Sequence, residues 1–253
     1  MFTQSSVILS ILFDRESLYF NWFPETPVTH ANQEFQPRLD ALKGELVRQA
    51  GRVLAQAVTA VDCCFNREEP DLAAFEHAES IIDREDVEIE QHSVPLLAMG
   101  QTDPYAIRSV LTIVKVNNEL ERIADCAANI ASAVSETPPP SDRFKVMANS
   151  VLGMLRDSNR ALESGNAALA RRVLSFDDAV NDFKCEIVLD AQRGIAEGHM
   201  SVEEGFSLMK VTKSLERIAD HCTNVCEQVI YLETGKIMRH DANGWGDAVE
   251  PGA

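Results

Sequence analysis

A fifteen-residue string occurs twice in this chain, at Lys115–Asn129 and Lys210–Asn224, with nine identical positions between the copies. The shared residues read Lys-Val-x-x-x-Leu-Glu-Arg-Ile-Ala-Asp-x-x-x-Asn, an amphipathic pattern of helical period. A chain that repeats such a helix at a separation of 95 residues is built from two similar halves. Each copy also sets two acids four residues apart, Glu121 with Asp125 and Glu216 with Asp220. Like charges at that spacing share a helix face at a cost of roughly 0.2–0.5 kcal/mol per pair. Matched placement of that cost points to a cation. Arg122 and Arg217 offer the competing explanation, neutralisation without metal.

Apolar spacing extends the helical reading across the chain. Leu39, Leu42, Leu46, Val53, Ala57 and Val61 predict a first helix from about Arg38 to Phe65. Further helices are predicted at about Leu72–Leu97, Pro104–Val134, Arg143–Glu163, Ala167–Glu197 and Val202–Thr234. Pro104 suits a helix start, Ser201 with Glu204 forms a capping box, and Gly235 suits a helix end. Three consecutive prolines in Ser135–Asp142 divide the halves. The expected architecture is all-α, two tandem three-helix bundles from an internal duplication. It comprises an irregular extension (1–36), a first repeat (37–134), a Pro-rich linker (135–142), a second repeat (143–240) and a flexible tail (241–253).

The remaining ligands of a cation site should come from the neighbouring helix. In an antiparallel pair, residues equidistant from the turn lie at similar heights. Glu79 with Asp125, and Asp83 with Glu121, both centre on residue 102, at the first turn. Asp177 with Asp220, and Asn181 with Glu216, both centre on 198.5, at the Gly198 turn. Asp178 and Asp182 also fit that second turn. Asp86 and Glu90 centre on 105.5 and are set aside. An offset of 98 residues, seen in Ile82/Val180 and Ile89/Ile187, aligns the second helices. Oxygen-rich sets of this kind suit magnesium, manganese or iron. With Asn181 in place of an acid, the second set is expected to hold metal more weakly. Asn129 and Asn224 continue the stripe as supporting or interhelical hydrogen-bond groups.

Composition narrows the function. A net charge of −17 disfavours nucleic acid as a partner. None of the apolar stretches approaches the roughly 20 residues of a membrane span, so a cytoplasmic protein without membrane insertion is expected. The six cysteines form no CxxC pair, and Cys222 and Cys226 read as small core residues rather than a zinc site. There is no Walker A loop or dinucleotide-binding glycine pattern, and no catalysis is expected.

Leu120–Asp125 (LERIAD) and Leu215–His240 (LERIADHCTNVCEQVIYLETGKIMRH) resemble the PhoU family of phosphate-signalling regulators, over about Gln36–His240. The resemblance implies two similar three-helix bundles with repeated Glu/Asp-x-x-x-Asp motifs that bind multinuclear metal clusters, iron in some members. Those motifs map onto Glu79/Asp83, Glu121/Asp125, Asp177/Asn181 and Glu216/Asp220. Asn181 departs from the acidic pattern, and Ala124 and Ala219 stand where glycine is common. The implied role is a negative regulator of phosphate uptake. It would act between the ATPase subunit of a phosphate ABC transporter and a sensor histidine kinase, as a homodimer or larger oligomer. Two other readings stand beside it. One is a di-metal carboxylate oxidoreductase or ferroxidase, disfavoured because no histidine has Glu three residues before it. The other is a metal-free helical scaffold.

Overall fold

Phe35, Leu39, Leu42, Leu46, Val53, Ala57 and Val61 fall along one stripe of the first helix, and all are buried. That stripe explains where the helix runs: α1 spans Val28–Asn66 and passes through Pro37. It therefore starts ten residues before the expected Arg38 and takes in the end of the supposed irregular extension. Pro37 removes one N–H from the ladder, but Phe35 on the far side of it is only 4 % exposed and anchors the segment in the core. The computed structural model describes residues 28–241 and 244–247, so the expectation for residues 1–27 lies outside the described residues.

The elements that follow are α2 (Leu72–Ala98), α3 (Pro104–Ala131), α4 (Asp142–Ser164), α5 (Ala167–Leu174), α6 (Asp177–Ala196) and α7 (Val202–Thr234). Side chains start most of them. Asp71, Asp103, Ser141 and Asn166 each accept from a backbone N–H three residues on, and Ser201 and Glu204 close the capping box on α7. Gly165 and Gly235 stop α4 and α7 in left-handed conformations, at φ 62° and 71°.

The predicted helix over Ala167–Glu197 is in fact two, broken at Ser175 and Phe176. No glycine or proline marks the break. Charge does: Arg171 and Arg172 lie in the last turn of α5, Asp177 and Asp178 in the first turn of α6. Both pairs oppose the local end of the helix dipole, which favours two short helices over one long one.

The long helices α3 and α7 pack against each other at the centre. α1 and α2 flank α3, while α4, α5 and α6 flank α7, and α1 also meets α4. Their buried side chains form one continuous core across both repeats. The proline segment is pinned rather than loose. A 3-10 turn covers Val134–Glu136, and Thr137 and Ser207 both donate to the Ala133 carbonyl, at 2.7 and 3.0 Å.

Beyond α7 the chain is not simply a flexible tail. β1 (Met238–Asp241) pairs antiparallel with β2 (Gly244–Asp247). The hairpin is held by buried Met238, by Trp245 against the core and by Arg239, whose Nη1 donates to Glu227 Oε2 at 3.1 Å. Two apolar side chains in a short polar stretch are a weak sequence signal, and only the core they reach makes them informative.

Candidate metal centre and its interhelical partner site

The inner face of α2 buries Ile82 and Ile89, which leaves Glu79, Asp83, Asp86 and Glu90 together on an adjoining stripe at steps of four, three and four. The stripe faces Glu121 and Asp125 of α3. Glu79 is pushed above the usual carboxylate range by burial, then by Asp83 and Asp125. Glu121 is raised by burial and Asp125, against the lowering effect of Arg122, and further by Asp86 and Asp83. The four expected residues of the first repeat thus lie within one another's field. Asp86, set aside on turn symmetry, belongs with them. It too is raised, by burial, Glu90 and Asp83. Turn symmetry failed for it because Asp86 reaches the site along the helical stripe, one turn from Asp83.

Counter-charge at this cluster is thin. Arg122 Nε lies 3.3 Å from Glu121 Oε2 and its Nη1 4.0 Å from Asp125, but Arg122 is half exposed. Glu121 Oε2 is buried and accepts no hydrogen bond. Asn117 Nδ2 holds Asp86, donating to its Oδ1 at 2.7 Å and its carbonyl at 2.9 Å. Among the described residues, no three His, Cys, Asp or Glu side chains converge at ligand spacing in this arrangement. A buried oxygen without a hydrogen bond, paired only with a half-exposed arginine and set among several raised carboxylates, belongs to a donor set that fits a hard, oxygen-preferring cation.

The second repeat is arranged differently. Asp220 is raised by burial, Glu216 and Asp177, so these three do meet as expected. Asn181 turns its amide Nδ2 toward Asp177 Oδ2, 3.4 Å away. Glu216 is 7 % exposed and both of its oxygens are taken: Lys184 Nζ donates to Oε1 at 2.8 Å, and Lys213 Nζ donates to Oε2. Despite burial, those two ammonium groups bring the Glu216 carboxyl below its ordinary value. An amide acting as donor and a carboxylate saturated by lysines do not fit a divalent cation. Lys184 was missed in the sequence, although the 98-residue offset places it opposite Asp86.

A further polar site joins the repeats. Glu119 Oε2 on α3 takes hydrogen bonds from His221 Nδ1 at 2.7 Å and Asn224 Nδ2 at 2.9 Å on α7. Asn224 is therefore an interhelical group, whereas its repeat-mate Asn129 donates to the Asp125 carbonyl of its own helix. Burial raises the Glu119 carboxyl, but the bonds from His221 and Asn224 outweigh it and the net shift is downward. A depressed carboxyl contributes stability above its unfolded value of about 4.3 and loses it as pH falls through the folded value. In chelated protein, the melting-temperature gap between wild type and Glu119→Gln is expected to be full at pH 6 and to narrow as pH falls below about 4.3. A gap independent of pH would show that the charge on Glu119 is not what holds the helices. Beside this bridge, Asp86, Glu90, Asn117 and Gln228 help line a cavity of about 560 Å³.

Cys222 and Cys226 are buried as small core residues, and burial pushes the Cys222 thiol up to about 12. No helix among the described residues is long and apolar enough to cross a membrane.

Comparison with known proteins agrees with the doubled architecture. The PhoU domain family matches twice, over residues 46–134 and 144–229. The phosphate-specific transport system accessory protein PhoU homolog 1 of Thermotoga maritima is 28% identical over 216 residues, 83% of this chain and 93% of that one. A PhoU homolog of Clostridium acetobutylicum is 31% identical over 208 residues, 80% and 95% of the two chains. The crystal structure of the phosphate transport system regulatory protein PhoU from Streptococcus pneumoniae superposes with a TM-score of 0.74 at 25% identity, covering 80% of this chain and 98% of that one. With both halves matched, and relatives aligned over nearly their whole length, the chain belongs to the PhoU domain family.

Proposed function

We propose that this protein is a non-catalytic, metal-dependent regulator of phosphate uptake, acting in the cytoplasm. The observation that carries the reading is the doubled PhoU domain, since the relatives that share it are named phosphate-specific transport system accessory proteins. The raised, poorly neutralised carboxylates of the first repeat support a metal-dependent form of that role. The metal is iron, manganese or magnesium, and Glu79, Asp83, Glu121 and Asp125 hold it, with Asp86 beside them. Bound there, a polyvalent cation supplies the positive charge that the cluster lacks. The protein residues do the rest: α2 and α3 each contribute carboxylates, so filling the site would tie the two helices together. Partners are the ATPase subunit of a phosphate ABC transporter and a sensor histidine kinase, met by a homo-oligomer of this chain.

Deleting the gene in its host is expected to switch on phosphate-starvation genes in phosphate-rich medium. Wild type should restore repression, and a Glu121→Gln/Asp125→Asn variant present at equal abundance should not. Unchanged expression on deletion would sink the regulatory reading. Full repression by the variant would sink only the metal dependence.

A further inference from the structure

Aligned by their sequence offsets, the two repeats differ at the candidate centre in two charge exchanges, besides the change from Asp83 to Asn181. Glu121 of α3 corresponds to Glu216 of α7, 95 residues on, and Asp125 to Asp220. On the second helices, Asp86 corresponds to Lys184 at the 98-residue offset. Next to the glutamate, Asn118 corresponds to Lys213. Two positions that are acidic or neutral around Glu121 are thus cationic around Glu216.

The geometry makes the exchange consequential. Glu121 Oε2 is buried without a hydrogen bond and has only the half-exposed Arg122 beside it, at 3.3 Å, whereas Glu216 has one lysine donating to each oxygen. An ammonium group carries three donors and no acceptor, so it can satisfy a carboxylate but cannot share a site as a ligand. It is also covalently attached and loses no translational freedom on binding. An incoming cation at Glu216 would have to displace Lys184 and Lys213 and leave them facing Asp220 and Asp177 beside a new positive charge. We propose that Lys184, assisted by Lys213, is a tethered cation that takes the place of the metal in the second repeat. The chain then has one inorganic cation site, in the first repeat, and a permanently filled site in the second. The Glu216–Lys184 pair links α7 to α6 whether or not metal is available, so only the first repeat responds to cation supply. The lysine-filled half stands on its own geometry; that the first repeat binds metal rests on the function proposed above.

Exchanging the repeats' residues tests this. Full-length protein stripped with chelator is titrated calorimetrically with Mn²⁺. Wild type is expected to bind through the first repeat alone, so Asp177→Asn/Asp220→Asn leaves binding unchanged. Lys184→Asp/Lys213→Asn, which writes the first-repeat residues at these two positions into the second repeat and leaves Asn181 in place, should bind more Mn²⁺ than wild type, up to about twice as much. Asp86→Lys/Asn118→Lys should weaken binding at least about tenfold. Reduced uptake by Asp177→Asn/Asp220→Asn, or no gain in a folded Lys184→Asp/Lys213→Asn variant, overturns the proposal. Gain in that variant while wild type binds nothing keeps the tethered lysine and rejects the first-repeat metal; no binding by either rejects both. Should the aspartate variant fail to fold, Lys184→Gln/Lys213→Asn in a Glu121→Gln/Asp125→Asn background replaces it. Mn²⁺ should raise the melting temperature of that protein and not of its parent background, and equal behaviour overturns the proposal.

Discussion

Replacing Leu120 or Leu215 by alanine is expected to lower the free energy of unfolding by about 2–5 kcal/mol in either case. The two leucines are repeat-mates, both 0 % exposed, on the central helices α3 and α7. Shortening either removes buried methyl groups and leaves a cavity between helices that cannot easily close on it, since each is flanked on several sides. Against a typical total of about 5–15 kcal/mol, that is a large share. Leu189 on α6, 57 % exposed, supplies the control, with an expected change within about 0.5 kcal/mol. Urea denaturation reads the difference as a shift of midpoint at unchanged slope. Because both leucines serve one core, each variant should lower a single transition. A variant that splits unfolding into two steps, destabilising its own repeat only, would show that the halves are held together weakly.

Glu121→Gln/Asp125→Asn is expected to separate the cost of the carboxylate cluster from its use. In chelated protein at neutral pH the variant should melt above wild type, because burial, and then Asp125 and its neighbours, raise the Glu121 carboxyl, and a neutral amide bears neither cost. On adding Mn²⁺ the order should reverse. Wild type gains about 2.7 kcal/mol once free metal is a hundredfold above its dissociation constant, and the variant gains nothing. Arg122 is half exposed and spans both acids, so its contribution is screened and does not cancel the repulsion. A wild-type melting temperature indifferent to Mn²⁺, Fe²⁺ and Mg²⁺ would count directly against a metal centre in the first repeat.

Much of the helical frame was legible in the residues because helix ends and apolar stripes are local. Ser201 with Glu204, Pro104 and Gly235 act within one turn of chain, and the structure uses each of them. The α5–α6 break was harder, since a charge reversal between Arg172 and Asp177 is a smaller bias than a proline. The start of α1 was misplaced for the opposite reason: Pro37 is a strong local signal, and burial of Phe35 overrides it.

The sequence by itself determined the duplication, the all-α class and the acidic stripes, because repeats and helical periods are properties of the chain's order. It placed Glu79, Asp83, Glu121 and Asp125 near one another through the symmetry of a turn. Only the tertiary structure decided that the two stripes differ in kind. Whether Asp86 and Lys184 reach the carboxylates depends on how far α2 and α6 are rotated about their axes against α3 and α7. That rotation is set by what the adjoining faces bury, Ile82 and Ile89 in one repeat and Val180 and Ile187 in the other. Charge at a site is a sum over neighbours in space, and no spacing along one strand of sequence contains it.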